Sequence, residues 1–196
     1  QFLLFLNNDI ELTQDVVTPM VRHFQDEGVG AVGIRLLEPV VDATGATRFV
    51  PHHEAVYFDA GLAADETQSY TSLPGEVASL RSGLGGTHTV PAVTAALAMC
   101  RKQDFDAVGG FSQAYVYGLE DVDLCWMIWT RLGKRVVSDT SIESVHYRSY
   151  TRDAKAARKA ASVPAAAGTR QAANRAALQR RMGRSVRDAM VRSLVD

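Results

Sequence analysis

The chain opens on five apolar residues in a row, Phe2-Leu3-Leu4-Phe5-Leu6, followed at once by the polar Asn7-Asn8-Asp9. Such an uninterrupted run predicts a strand buried on both faces of a parallel sheet. Thr18 suits a helix N-cap and Pro19 the first helical position, so a helix is expected from there to Glu27, with Gly28 as its stop. Residues 29–34 read as a second short strand. Residues 38–92 are less regular, with turn or loop signals at Thr44-Gly45, Leu73-Pro74-Gly75 and Ser82-Gly83-Leu84-Gly85-Gly86, the last of a composition that suits a mobile lid. Apolar residues 93–100 predict another strand, followed by a short amphipathic turn over 103–108 and the pair Gly109-Gly110. From Leu119 the period becomes helical, with Val122, Cys125, Trp126, Trp129 and Leu132 on one face and Gly133 as terminator. Residues 135–137 and 142–147 then read as short strands. Strands alternating with helices predict an α/β sandwich on a mostly parallel sheet flanked by helices.

Beyond Thr151 the pattern changes. The segment is rich in Ala and Arg, breaks at Pro164 and Gly168, and then places Leu178, Met182, Val186, Met190 and Leu194 four residues apart, flanked by Arg175, Arg180, Arg184 and Arg187. The chain therefore divides into a body, residues 1–150, and a basic helical extension, residues 151–196. Charge divides the same way: the formal total is −1, but the body carries −9 and the extension +8. The extension is expected to dock on the acidic body or on a partner helix, with an anionic membrane surface as the sharper alternative. Nucleic acid is disfavoured, since the Arg residues surround an apolar stripe without an aromatic platform. With 196 residues, 46% of them hydrophobic, the chain can bury a core, which excludes a disulfide-stapled miniprotein and a disordered tail. Its apolar runs fall short of the roughly 20 residues of a membrane-spanning helix. An opening on Gln1 inside an apolar strand reads as a fragment whose preceding sequence is missing.

Two acidic stretches are candidates for chemistry. Asn7-Asn8-Asp9 lies just after a strand, at the end where open α/β sheets bind ligands, and a carboxylate there can hold a hard divalent cation. The same residues can equally form a simple capped turn. Glu120-Asp121-Val122-Asp123 begins a helix, where negative charge is stabilised, and a positioned carboxylate can act as general base toward a hydroxyl. Ordinary complementation of the helix dipole explains the same residues, but Gly109-Gly110-Phe111 and Tyr115-Val116-Tyr117-Gly118 just before them look shaped to admit a ligand. His146 is either a metal ligand or a structural histidine. His52-His53-Glu54 superficially looks like a metal pair, yet neighbours on a strand point to opposite faces, which leaves both histidines as candidate substrate contacts. Cys100 and Cys125 read as buried thiols of a cytosolic protein, and Trp126 and Trp129 as core.

Taken in order, Phe5-Leu6-Asn7-Asn8-Asp9, Gly28-Val29-Gly30-Ala31-Val32-Gly33, Ala95-Ala96-Leu97 with Gly109-Gly110-Phe111, Gly118-Leu119-Glu120-Asp121-Val122-Asp123-Leu124-Cys125, and His146-Tyr147-Arg148-Ser149 resemble the second half of family 2 glycosyltransferases over about residues 2–152. The resemblance implies a GT-A fold and a cytoplasmic enzyme of polysaccharide or glycoconjugate synthesis, peripheral to the cytoplasmic membrane if the extension binds there. It implies metal-dependent inverting transfer of a sugar from a nucleotide-diphosphate sugar to a hydroxyl of a glycan, lipid-linked or other acceptor. Asp9 matches the carboxylate that holds Mg²⁺ or Mn²⁺, and His146 the position that completes the metal site in several members. Asp121 matches the catalytic base, and Glu120 a residue that helps position the acceptor. Asn7, Asn8, Ala95, Ala96, Gly109, Gly110, Phe111 and Gly118 fall in the donor- and acceptor-binding segments. Asn7 stands where the family's first metal-site acid is expected, a substitution shared with the rhamnosyltransferase-like branch. The family's N-terminal nucleotide-binding half, a βαβ unit of roughly 30 residues or more, has no counterpart in this sequence. The alternative is a non-catalytic glycan- or partner-binding module of the same fold, against which the retention of Asp121 and His146 argues.

Overall fold

A computed structural model describes residues 1–56, 85–115, 118–147, 173–174 and 176–178. Along them run β1 (Phe2–Leu6), β2 (Ile10–Glu11), α1 (Val17–His23), β3 (Val29–Val41), β4 (Thr47–His53), β5 (Thr87–Thr89), β6 (Leu97–Arg101), α2 (Lys102–Val108), α3 (Glu120–Leu132) and β7 (Arg135–His146). The strands form one sheet in the order β1-β6-β3-β7-β2, with β4 added to β3 and β5 to β7.

The sheet is mixed, which corrects the expectation of a mostly parallel one. β3 and β7 run parallel, while the β1/β6, β3/β6, β3/β4, β2/β7 and β5/β7 pairs are antiparallel. An apolar run reports burial on both faces and carries no information on direction. β6 has that pattern because it sits between β1 and β3 with both faces covered.

β1 also departs from expectation. Among the described residues it pairs on one side only, with β6, and Phe2, Leu4 and Leu6 stay exposed while Leu3 and Phe5 pack inward. Alternation along an edge strand thus separates five residues that look equivalent in the sequence.

The core lies in two layers, one on each face of the sheet. On one face Val32, Ile34, Leu97, Met99 and Val137 meet Val16, Met20 and Phe24 from around α1. On the other, Ala31, Ala98, Cys100 and Val136 meet Val122, Cys125, Trp126 and Ile128 of α3. α3 matches its expected span closely, ending at Gly133 in the left-handed region (φ 66°). α1 is shorter than expected: Asp15 accepts the Thr18 N–H (3.1 Å), so the carboxylate three residues upstream takes the capping role assigned to Thr18, and Phe24 to Asp26 continue as a tight turn. The two short strands expected over 135–147 are one strand, β7, whose register to β3 slips between Ile34/Asp139 and Arg35/Glu143. There burial pushes Asp139 up, but hydrogen bonds from Ser141 and His23 outweigh it and hold the carboxyl below its ordinary value. β3 runs on to Val41 because Asp42, Thr44 and Gly45 form the hairpin to β4.

Close packing of β3 explains both of its glycines. A Cβ on Gly33 would lie 2.6 Å from Val93 Cβ, and one on Gly30 2.3 Å from Ile128 Cγ2. Val93 branches at that same Cβ and cannot rotate clear, so Gly33→Ala is expected to destabilise by about 1–3 kcal/mol in denaturant melts. Gly85→Ala, which meets open space, is the matched control and is expected to stay within about 0.5 kcal/mol. Equal midpoints for the two variants would contradict the packing.

Of the extension, residues 173, 174 and 176–178 are helical, and Ala177 and Leu178 are buried in the same core layer as α3. The breaks at Pro164 and Gly168 and the stripe from Met182 to Leu194 lie outside the described residues. So do Leu73-Pro74-Gly75 and residues 82–84 of the expected lid. No helix among the described residues is long and apolar enough to cross a membrane.

Candidate functional site

β1, β3 and β7 run in one direction, so their carboxyl ends share one edge of the sheet, where the antiparallel β6 begins. Residues 7–9 leave β1 at that edge. Asn7 N–H donates to the Ala96 carbonyl (2.9 Å), and Ile10 N–H to Asn7 O (3.3 Å), closing a turn. β2 then pairs with the end of β7, Ile10 opposite His146, and Tyr147 N–H donates to the Asp9 carbonyl (2.9 Å). This pairing sets Asp9 Oδ1 3.2 Å from His146 Nε2. The Asp9 carboxylate thus meets a side chain of another strand. Asn7 and Asn8 are exposed. The His52 ring lies 5.6 Å from that of His146, while Glu54, its near neighbour, turns away to pair with Arg35 (2.7 Å).

Asp121 reaches the same edge from the first turn of α3. Its Oδ2 accepts the Ala95 N–H (3.0 Å) and its Oδ1 the Val122 N–H (2.9 Å). Ala95 and Ala96 therefore face both ways: one amide holds Asp121, the next carbonyl holds Asn7. The Asp121 carboxylate and the Asn7 backbone N–H, 114 residues apart in sequence, are joined through one short loop. Glu120 Oε2 is buried with no hydrogen-bond partner among the described residues, an unsatisfied acceptor of the kind a ligand hydroxyl would complete.

The turn into α3 is strained. Gly118 (φ 83°) and Leu119 (φ 77°) are both left-handed, and a non-glycine residue there costs about 1–3 kcal/mol. Nothing in the sequence flags Leu119. Gly109 (φ 90°) and Gly110 (φ 70°) have a different role: they terminate α2, and Phe111 packs on Phe5 and Phe105 with ring centroids 4.9 and 5.4 Å apart. Tyr115 is buried, and residues 116–117 lie outside the described set.

Among the described residues no group of three or more His, Cys, Asp or Glu side chains is arranged to hold a metal. Asp9 and His146 offer one carboxylate and one imidazole. The Asp9 Oδ1 atom is buried, and beyond the 3.2 Å contact with His146 Nε2 it has no hydrogen-bond partner among the described residues. That donor set suits Mn²⁺ or Mg²⁺ completed by water and phosphate oxygens, which such sites commonly use. Burial pushes the Cys100 and Cys125 thiols up to about 12, which excludes both as nucleophiles near neutral pH.

No family model matches the sequence. The chain is 30% identical over 158 residues to the O-antigen biosynthesis protein RfbC of Myxococcus xanthus, across 80% of this chain and 12% of that protein. It is 32% identical over 127 residues to the uncharacterized protein y4gI of Sinorhizobium fredii (strain NBRC 101917 / NGR234), across 64% of this chain and 13% of that protein. It thus spans about one eighth of the length of the curated relatives it matches. Among solved structures, a crystal structure of GalNAc-T7 with UDP, GalNAc and Mn²⁺ overlaps 75% of this chain and 27% of that chain at TM-score 0.46 and 15% identity. A197 from STIV overlaps 74% and 57% at TM-score 0.38 and 14% identity. Below a TM-score of 0.5 neither overlap bears on function, and what the chain itself presents is a mixed α/β sheet flanked by helices with an acidic site at one edge.

Proposed function

We propose that this chain is the catalytic and acceptor-side part of a metal-dependent inverting glycosyltransferase that moves a sugar from a nucleotide-diphosphate sugar to an acceptor hydroxyl. The observation that carries the reading is the bridge through Ala95-Ala96, which ties the Asp121 carboxylate to the strand end bearing Asp9 and His146. Sequence likeness to an O-antigen biosynthesis protein supports the same chemistry.

In this reading Asp9 and His146 hold Mg²⁺ or Mn²⁺, which when bound supplies positive charge against the departing diphosphate. Asp121 takes the proton of the acceptor hydroxyl as that oxygen bonds to the anomeric carbon. The bond from the anomeric carbon to the diphosphate oxygen breaks on the opposite side, releasing the nucleoside diphosphate and inverting the centre. Glu120, through its unsatisfied Oε2, accepts a hydrogen bond from the acceptor and orients it. The amide of Ala95 fixes the base before the acceptor arrives, so little reorganisation is needed at the moment of transfer.

The test titrates the full chain calorimetrically with a panel of nucleotide-diphosphate sugars, with and without Mn²⁺. Asp9→Ala is expected to weaken the Mn²⁺-dependent binding by at least the roughly 10–100-fold that loss of even an outer-shell partner costs a metal site. Isotherms identical to those of the unsubstituted protein would remove Asp9 from the metal site.

A further inference from the structure

We propose that Asn174, from the C-terminal extension, is a positioning residue that holds the turn carrying Glu120 and Asp121 into the site; the proposal rests on the reading of Asp121 given above. Asn174 is 2% exposed, and its Nδ2 donates to the Gly118 carbonyl at 3.0 Å. Gly118 and Leu119 are successive left-handed residues immediately before α3. The Leu119 carbonyl is already taken by the first helical bond, from Asp123 N–H (3.0 Å). The Gly118 carbonyl lies outside the helix and depends on a partner from elsewhere in the fold.

Asn174 is anchored for that task. Ala177 and Leu178 follow at three and four residues on the same helix face and are buried against the core layer that includes α3. The face that docks the extension therefore also delivers an amide to the strained turn. Two left-handed residues in succession set the direction in which the chain enters α3, and so the place where the Asp121 carboxylate meets Ala95. A left-handed leucine persists only where its surroundings over-determine it, and Asn174 is one of those determinants. In this arrangement the extension is part of the catalytic architecture.

Three substitutions in the full polypeptide separate positioning from packing. Asn174→Asp keeps the volume and removes the donor, Asn174→Ala removes both, and Leu178→Ala weakens the same docked face without touching Gly118. Both Asn174 variants are expected to speed hydrogen–deuterium exchange at the amides of residues 119–123 while leaving β3 and β7 unchanged. They are expected to lower kcat about 10–100-fold, the scale of a small misplacement of a reacting group, with an unchanged KM for the donor. Leu178→Ala is expected to lower Tm at least as much as Asn174→Ala but to lower kcat by a smaller factor, because Asn174 and its donor to Gly118 remain. Unaltered exchange at residues 119–123 in both Asn174 variants, or a kcat loss in Leu178→Ala equal to theirs, would overturn the proposal. Absence of sugar transfer by the unsubstituted protein would overturn the glycosyltransferase reading instead, and the exchange arm would still decide whether Asn174 holds the turn.

Discussion

Asp121→Asn is expected to lower kcat for sugar transfer about 10²–10⁴-fold, the usual worth of a positioned general base, while leaving donor affinity nearly intact. The two halves of that result have separate causes. An amide oxygen can still accept one of the two backbone N–H groups that hold Asp121, from Ala95 and Val122, so the turn keeps much of its geometry. The amide cannot take up the acceptor's proton. In the proposed reading donor affinity rests on Asp9, between β1 and β2, and on His146, at the end of β7. Single-turnover transfer with saturating donor reads the first half, and calorimetric donor binding reads the second. The neighbouring carboxylate supplies the internal control: Glu120→Gln retains an acceptor oxygen for the ligand hydroxyl and is expected to cost far less. Unchanged turnover in Asp121→Asn, or a larger loss in Glu120→Gln, would move the base to another residue.

The placement of Asp9 and Asp121 is legible in the sequence because both sit at the ends of elements that local pattern marks. α3 is periodic over its whole length and closed by a glycine in the left-handed region, so its first turn, and Asp121 with it, can be located from the apolar face alone. Asp9 is found by the same logic, as the first carboxylate after an apolar strand. What local pattern leaves out is direction and partnership. Whether β6 runs with or against β3 changes every hydrogen bond between them and no side chain's burial. The solvent-exposed face of β1 is invisible because Phe2, Leu4 and Leu6 are as apolar as Leu3 and Phe5.

Long-range polar contacts are the least legible of all. Asn174 lies in a segment whose composition advertises only charge and alanine, 56 residues from the carbonyl it holds. The left-handed conformation of Leu119 is set by what packs around it, and leucine gives no local signal for it. The glycine pair at residues 109–110 shows the converse. It looks like a ligand loop, yet the described contacts account for both residues as the terminus of α2, with Phe111 closing an aromatic cluster on Phe5 and Phe105.

Lys134→Met is expected to be the costliest single change to stability among the polar contacts, about 3–5 kcal/mol by denaturant melting with an unchanged m-value. Lys134 bridges the end of α3 and the start of β7, and its Nζ donates to both oxygens of Asp104 at 2.7 and 2.8 Å. Asp104 is 5% exposed in the first turn of α2. Without Lys134 it is a buried carboxylate with no counter-charge among the described residues. The reverse change, Asp104→Ala, should cost less, because the lysine stem can carry its ammonium out to solvent, as its 20% side-chain exposure already foreshadows. Replacing both partners, Asp104→Leu with Lys134→Met, should recover most of the loss, since two apolar groups leave no charge stranded. That ordering, lysine alone worst, aspartate alone intermediate and the double change mildest, distinguishes a buried pair from a surface one. A cost below about 1 kcal/mol for Lys134→Met would assign the pair to the surface class. The folded fraction of each variant should keep the unsubstituted kcat, because the pair spaces α2 from α3 at the end of α3 opposite Asp121.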